Sequence, residues 1–401
     1  MLRDFSLQSM SMGLLAAFVG FASSFSVILQ GLEGAGATHA QSASGLMALS
    51  IGMGLCGILI PIVTRVPVSV AWSTPGAALM ATSAALPGGF SQAVGAFVIS
   101  ALLIILAGLV RPVGRAISAI PAPLANAMLA GVLLALCFAP VEAVKVSPLL
   151  ALPIIVTFLA VSAFNRLMAV PAALLAFVAV LVFGVDIDEG AWSGVFRNAI
   201  AAPVWVTPHF SLQGAISLGI PLFIVTMASQ NIPGVAILNI NNYRPSAGRL
   251  FSITGLATLL SAPFGGHGIN LAAITAAMCA GPDSHPDPKR RYWAAIVSGI
   301  GYIVLGLFSG LVVALVSLAP PILIEAVAGL ALIGAFSGAV LGAFKEPEAR
   351  EAAAITFLVA AAGVSFLGVS GAFWGLLAGL AVHGLKVWAL RRQRARGEVA
   401  G

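Results

Sequence analysis

One histidine, flanked by glycines inside an apolar run, is the side chain in this sequence with the clearest chemical potential. Residues 261–281 read SAPFGGHGINLAAITAAMCAG, with His267 at their centre and the amide of Asn270 three residues later. A titratable group in a segment apolar enough to cross a membrane is costly and marks a functional site by default. Because imidazole titrates near physiological pH, His267 is a candidate proton carrier; the alternative is a neutral ring that shapes a site by hydrogen bonding.

Amide, carboxylate and aromatic side chains in other apolar runs are further candidates. Gln230 and Asn231 precede a Pro-Gly pair, and because buried amides in lipid must find partners, they contact either a substrate or a neighbouring helix. Glu33 lies near the end of the first apolar run, where it relays protons or simply faces solvent. The aromatic side chains that suit a ring-bearing ligand, with core or lipid-facing packing as the alternative, are Phe18, Phe21, Phe25 and Trp72.

Composition places these residues in a membrane protein. Hydrophobic residues make up 60% of the 401 positions and charged residues only 8%, with a mean hydropathy of +1.07, so polar side chains are too few to coat a soluble globule. The net charge of +6 comes mostly from basic residues dispersed between apolar runs, which indicates topology and not nucleic-acid binding. Three cysteines, all within apolar runs, are expected to be buried small residues without a disulfide or metal role: Cys56, Cys137 and Cys279.

The charged residues divide the chain into fourteen apolar windows, which we interpret as crossings because about 20 apolar residues span the hydrocarbon core. The windows lie near 10–30, 45–63, 68–84, 92–110, 117–138, 147–164, 167–184, 214–240, 249–262, 265–281, 292–317, 321–343, 351–367 and 371–390. With a cytoplasmic N-terminus, every Lys and Arg except Lys145 and Arg197 lies on the cytoplasmic side, which favours this count. The sequence therefore predicts an all-α polytopic membrane protein with 14 transmembrane segments.

Two sets of seven crossings must run through the membrane in opposite directions. Such inverted repeats are typical of secondary transporters, which bind substrate near the midplane on broken helices. Residues 21–29 (FASSFSVIL) in the first window resemble residues 227–238 (MASQNIPGVAIL) in the eighth, as expected for repeated halves.

Spans 3 and 10 are predicted to be broken near the middle of the membrane. In span 3 the β-prone residues 66–72 precede STPG at 73–76, and Ser or Thr ahead of proline is a helix-start signal. In span 10, Pro263 and three glycines interrupt the run, so an extended piece at 264–268 should precede a helix that begins near Ile269. Two helix starts with free N–H groups and positive dipole ends suit a carboxylate or another electron-rich group. The residues expected at these starts are Ser73, Thr74, Gly76, Gly268 and Asn270.

The most distinctive runs resemble a known family. TMASQNIPGVAILN at 226–239, APFGGHGINLAAIT at 262–275, DPKRRY at 287–292 and STPG at 73–76 are similar to the bacterial benzoate:proton symporters of the BenE type. The resemblance extends over essentially the whole chain and implies import of benzoate, or a similar aromatic carboxylate, driven by the proton gradient across the inner membrane. That family is similar in fold to nucleobase and sulfate-type anion transporters with seven-plus-seven inverted repeats.

The same resemblance implies a division into domains. In the nucleobase transporters, spans 8 and 10 each carry a substrate-binding carboxylate, and Gln230 or Asn231 and His267 occupy those places here. Amide and imidazole side chains suit a substrate that carries a carboxylate, because carboxylate side chains at these positions would repel it. The implied units are a core domain at 1–115 (spans 1–4) and 214–318 (spans 8–11), a gate domain at 116–213 (spans 5–7 with a periplasmic loop) and 319–392 (spans 12–14), and a cytoplasmic tail at 393–401.

The expected mechanism is movement of the core domain against the gate domain, with benzoate bound at the two helix starts, its ring against aromatic side chains, and His267 and Glu33 as the proton-coupling candidates. The expected partners are the carboxylate, protons, membrane lipid and a second copy in a homodimer, with no cofactor, metal or nucleic acid and with both termini cytoplasmic. The alternatives are a uniporter or channel for small organic anions, or a symporter of another carboxylate or of a nucleobase-like substrate. An enzyme is not expected, because His267 has no second His, Cys or Asp at ligand spacing.

Overall fold

Helices account for most of the chain in the computed structural model, which describes residues 5–83, 85–110, 120–187, 192, 199–272, 274–363, 366 and 371–395. Arg197 and most of the tail predicted at 393–401 lie outside this set. The first half contains α1 Leu7–Ala22, α2 Phe25–Gly34, α3 His39–Thr64, β1 Val70–Trp72, α4 Thr74–Thr82, α5 Gly89–Leu109, α6 Ala122–Cys137, α7 Ala139–Val146, α8 Pro148–Phe164 and α9 Arg166–Gly184.

The second half repeats this pattern of long helices interrupted by one short strand. Its elements are α10 Leu212–Ile240, α11 Ala247–Ser261, β2 Ile269–Leu271, α12 Ile274–Ala280, α13 Tyr292–Leu307, α14 Ser309–Ser317, α15 Pro321–Phe344, α16 Arg350–Ala361 and α17 Gly371–Ala395. Within α10, two single turns are π-helical, at Ala215–Gly219 and at Met227–Asn231. Such turns insert an extra residue into the hydrogen-bond ladder and occur often at functional sites.

Eight helical stretches in the described part of the chain, two of which join consecutive helices (α1 with α2, α6 with α7), are long and apolar enough to cross a membrane: Leu7–Gly34, His39–Thr64, Gly89–Leu109, Ala122–Val146, Arg166–Gly184, Leu212–Ile240, Pro321–Phe344 and Gly371–Ala389. The pair formed by α13 and α14, bent by 51°, makes up to nine. The prediction of a mostly helical, polytopic membrane protein is therefore confirmed. The remaining predicted windows contain shorter helices (α8, α11 and α16) or a strand followed by a short helix (β1 with α4, β2 with α12).

Close helix packing depends on glycine at several crossings, most clearly between α2 and α4. A Cβ atom built on Gly31 would lie 2.5 Å from the Ala77 carbonyl oxygen, and one on Gly34 would lie 2.9 Å from Ala81 Cα. Small residues of this kind let helix backbones approach one another in membranes, where packing replaces the hydrophobic effect as the driving force. The other main packing partners are α1 and α3 with α13, α5 with α11, α6 with α15 and α16, α8 with α9, and α16 with α17.

Three predicted spans differ from the structure. In span 10 the extended piece continues to Leu271 and α12 begins at Ile274, so the helix start predicted near Ile269 is wrong; strand pairing holds residues 269–271 instead. Span 1 is two helices, broken where the Ser23 and Ser24 hydroxyls bond back to the Gly20 carbonyl. Span 11 is also two helices, α13 and α14.

Candidate functional site

The two short strands pair with each other and bring the broken segments of both halves together. β1 and β2 are antiparallel, with Val70 opposite Leu271, Ala71 opposite Asn270 and Trp72 opposite Ile269. At the end of the ladder the Ser73 N–H donates to the Gly268 carbonyl at 2.9 Å. Non-helical backbone inside a membrane protein must have its polar groups satisfied by protein, and this ladder does so for one edge of each strand.

Side chains from neighbouring helices satisfy the free edge of β2. The hydroxyl of Thr258 on α11 accepts from the Ile269 N–H at 2.9 Å and lies 3.1 Å from the Ile269 carbonyl. The Asn231 side-chain oxygen accepts from the Leu271 N–H at 3.0 Å, and the Asn231 amide nitrogen contacts Met227 Sδ at 3.2 Å. Asn231 therefore connects α10 to the strand β2.

The start of α4 is capped as the sequence predicted. Ser73 Oγ accepts from the Gly76 N–H at 3.2 Å and lies 2.8 Å from the hydroxyl of Thr226 on α10. Because Pro75 has no N–H, the Thr74 N–H is the one helix-start donor of α4 that has no partner among the described residues. A Cβ atom on Gly76 would lie 2.7 Å from the capping Ser73 Oγ, so a side chain at this position would disturb the cap.

His267 lies directly against this helix start and is fully buried. Its Nε2 atom is 3.0 Å from the Ser73 carbonyl oxygen. Since a carbonyl only accepts, Nε2 carries the proton and donates it, which leaves Nδ1 with a free lone pair. Nδ1 is buried and has no partner among the described residues. The ring packs edge-on against Phe97 of α5, with centroids 6.1 Å apart, so an aromatic side chain borders the buried imidazole.

Asn270 and Gln230 differ in how fully their amides are used. With the Asn270 amide oriented to satisfy both of its atoms, Nδ2 donates to the Leu271 carbonyl at 2.9 Å and Oδ1 accepts from the Ser73 N–H at 3.0 Å. Asn270 lies on β2, not on the helix start where it was predicted, and its bonds hold the crossing of the two strands. Gln230, in the π-helical turn of α10, is half-buried and forms no hydrogen bond within the described chain, so its amide is available.

The aromatic candidates separate into a buried cluster and one surface residue. Phe21 lies 5.2 Å from Trp72 and 5.8 Å from Phe25, measured between ring centroids, and Trp72 Nε1 donates to Ser24 Oγ at 2.8 Å. Phe18 is 45% exposed and makes no ring contact with this cluster in the described structure. Phe21 and Phe25 therefore pack with Trp72 of β1 inside the helix bundle, whereas Phe18 faces the outside.

Glu33 lies at the end of α2, away from the strand crossing. Its carboxylate is 3.4 Å from His39 Nδ1, with the two side chains 40% and 71% exposed, respectively. The structure therefore places the two proton-coupling candidates apart: His267 is sealed at the strand crossing and Glu33 faces solvent.

Three positioning residues were not identified from the sequence: Thr226, Thr258 and Phe97. Each is a single hydroxyl or aromatic side chain in a long apolar helix, where Thr and Phe are common and carry no distinguishing spacing. Only the structure shows that Thr258 bonds the backbone of β2 and that Thr226 bonds the hydroxyl of Ser73, the residue that caps α4. Thr226 does open the run at 226–239 that carried the family resemblance, and this was the one available signal.

Ser73→Ala is expected to destabilise the protein by about 1 kcal/mol, because it removes the cap on the Gly76 N–H. Thermal unfolding in detergent measures this. Thr82→Ala is the matched control on the same helix, since the Thr82 hydroxyl bonds only to carbonyls of its own helix. Equal losses for the two variants would contradict a capping role for Ser73.

The fold is similar to that of solved anion transporters. The transmembrane domain of a cyanobacterial bicarbonate transporter, BicA, matches with a TM-score of 0.61 and 15% identity over 94% of this chain and 98% of that one. The murine anion transporter Slc26a9 in its inward-facing state matches with a TM-score of 0.60 and 12% identity over 97% of this chain and 69% of that one. The chain therefore shares the fold of these two solved membrane proteins.

Sequence comparison gives the family. Residues 3–385 match the family profile of the benzoate membrane transport protein, BenE. The chain is 38% identical to "Inner membrane protein YdcO" of Escherichia coli strain K12 over 368 residues, covering 92% of this chain and 93% of that one. It is 33% identical to "Benzoate membrane transport protein" of Acinetobacter baylyi over 383 residues, 95% of each chain. The chain belongs to the benzoate membrane transport protein family, whose members are membrane transporters and not enzymes, and the resemblance found in its motifs is confirmed.

Proposed function

We propose that this protein imports benzoate, or a similar aromatic carboxylate, together with a proton across the bacterial inner membrane. Family membership and the names of the two relatives support the substrate class and the location. The observation that carries the mechanism is His267, a fully buried imidazole with an unpartnered Nδ1 beside the start of α4.

In this site, binding of the proton and binding of the carboxylate favour one another. An isolated carboxylate is expensive to bury in a dry protein interior, and so is an imidazolium. Protonation of His267 at Nδ1 creates an N–H that donates to the carboxylate, while Nε2 keeps its bond to the Ser73 carbonyl. The bound pair is neutral overall, so the site moves its cargo without a permanent intramembrane charge.

Neighbouring groups complete the binding of the carboxylate. The free Thr74 N–H and the positive end of the α4 dipole favour an anion at this position. The unbonded amide of Gln230 supplies a further donor. The substrate ring packs against aromatic side chains, with Phe21 and Phe25 as the candidates inside the bundle and Phe18 as the weakest of the three because of its exposure. The backbone of the site is held in place by four further residues: Asn231, Asn270, Gly76 and Gly268.

The architecture that we propose has 14 crossings in two inverted repeats of seven, with β1–α4 and β2–α12 as the broken spans 3 and 10. The core domain is 1–115 with 214–318, and the gate domain is 116–213 with 319–392. Helix packing supports this division, since the main partners pair within each domain, as α3 does with α13 and α6 with α15. Transport follows from movement of the core against the gate, with both termini cytoplasmic. The homodimer stays a prediction.

Uptake of labelled benzoate into proteoliposomes tests the proposal. With the outside one pH unit more acidic, one-to-one symport is expected to accumulate benzoate about tenfold, because one pH unit is worth about 1.4 kcal/mol. A protonophore should abolish the accumulation. Protein-free liposomes correct for passive entry of the neutral acid, and saturation by unlabelled benzoate separates carrier from leak.

The outcomes distinguish the alternatives. Saturable uptake that only equilibrates indicates a uniporter or channel for organic anions. Absence of saturable benzoate uptake overturns the substrate, and competition by a panel of aromatic acids, other carboxylates and nucleobases then identifies the ligand class.

A further inference from the structure

Three polar side chains follow one face of α2, a helix that is otherwise apolar. Ser26, Gln30 and Glu33 are spaced by four and three residues, so they lie above one another on the helix surface. The row begins two residues after Ser24, whose hydroxyl accepts from Trp72 of β1, and it ends at the exposed Glu33. It therefore runs along α2 from the end nearest β1 to the exposed end.

The inner two members of this row are buried without partners. Ser26 is 0% exposed and its hydroxyl bonds to no described residue. The Gln30 side-chain nitrogen is also buried and unpaired in the described chain. An unsatisfied buried polar group costs about 1–3 kcal/mol, so two neighbouring examples on one helix face require an explanation.

Packing shows which element the row faces. Gly31 and Gly34 point at α4, and Leu32 points at α3, where its Cδ1 would lie 2.9 Å from a Cβ atom on Gly45. Successive residues of an α-helix are rotated by about 100° around its axis. On a view down α2, the direction of the polar row therefore differs by more than about 100° from the direction of the α4 contact and from that of the α3 contact. The further main neighbour of α2 is α15, a helix of the proposed gate domain. The row therefore faces the boundary between core and gate.

The facing helix supplies no partner for these groups. From Leu323 to Leu332, α15 carries only apolar residues and glycine apart from Glu325, which is exposed. The side chains of that segment therefore cannot satisfy the Gln30 amide or the Ser26 hydroxyl, whereas water or a ligand that enters the boundary can.

We propose that Ser26 and Gln30 line an aqueous entrance between α2 and α15, with Glu33 at its rim, and that the carboxylate substrate enters through it. The inference rests on the proposed function for its orientation, in which the Glu33 end is periplasmic. The Gln30 amide and the Ser26 hydroxyl donate hydrogen bonds to the passing carboxylate, and in this structure the entrance is closed.

Cysteine labelling tests the entrance. Gln30→Cys is made in a variant whose three native cysteines are replaced by alanine, and intact cells are treated with a membrane-impermeant methanethiosulfonate. Because the reagent attacks thiolates in water, we expect Gln30→Cys to be modified at least about tenfold faster than Leu32→Cys, the matched control on the α3-facing side of α2. Ser26→Cys, a nearly isosteric change, provides a second position if Gln30→Cys does not fold.

Equal modification rates at positions 30 and 32, or at positions 26 and 32, overturn the inference. Faster modification in inside-out vesicles than in cells also overturns it, because the entrance would then open to the cytoplasm. The labelling needs no benzoate, so its failure is separate from a failure of the proposed function, which the uptake of benzoate by the unmodified protein measures.

Discussion

His267→Gln is expected to abolish the accumulation of benzoate against its gradient. Glutamine keeps an N–H that can donate to the Ser73 carbonyl, but it cannot take up a proton. Loss of a charge-assisted bond to the carboxylate is worth about 1.5–3 kcal/mol, so the initial rate of proton-driven uptake should fall by about 10- to 150-fold. Exchange of internal for external benzoate at equal pH should be less affected, since it requires no net proton movement.

The matched control is His383→Gln, the same substitution on α17. His383 is half-buried within an apolar helix that belongs to the proposed gate domain, and its Nδ1 is also unpaired in the described structure. We expect this variant to accumulate benzoate normally. Undiminished accumulation by His267→Gln would refute His267 as the proton carrier, and undiminished uptake by Gln230→Ala as well would refute the site.

Thr258→Val is expected to destabilise the protein and to reduce transport although Thr258 touches no proposed substrate position. Valine has the same shape but leaves the Ile269 N–H without its acceptor and removes the hydroxyl contact with the Ile269 carbonyl. A buried unsatisfied N–H costs about 1–3 kcal/mol. Thermal unfolding measured with a thiol-reactive dye reports the loss, because Cys56 and Cys279 are buried in the folded protein.

Thr254→Val, one turn earlier on the same buried face of α11, is the control for this prediction. The Thr254 hydroxyl bonds only to the Leu250 and Phe251 carbonyls of its own helix, at 3.0 and 3.2 Å. Its loss should cost less than about 1 kcal/mol, because those carbonyls also belong to the helix ladder. Similar melting temperatures for the two variants would show that Thr258 does not support β2.

Much of the site follows from local sequence chemistry. The cap at Ser73, the start of α4 at Thr74 and the break before His267 are decided by proline, glycine and hydroxyl side chains within a few residues, so the sequence predicts them. Hydropathy and charge likewise predict the long helices, because length and apolar composition are properties of each segment alone.

The parts that could not be predicted depend on partners distant in the chain. Residues 269–271 form a strand because β1 and Thr258 satisfy their backbone, and nothing within those three residues specifies this. For the same reason Asn231 and Asn270, predicted to bind substrate, bond to backbone groups of the strand crossing. The break in span 1 depends on serine hydroxyls that bond to a helix carbonyl. Two serines in an apolar run do not by themselves predict that bonding, so the break could not be located from the sequence.

The pairing of Val70 with Leu271 also has a consequence for biogenesis. The two strands are separated by roughly 200 residues of sequence, so the loop they close is long and its contacts form late. While the ribosome is still producing the second half, the backbone groups of β1 have no strand to pair with, and lipid cannot supply the missing hydrogen bonds. The strand pairing of the first half is therefore completed only after β2 has been synthesised and has reached β1.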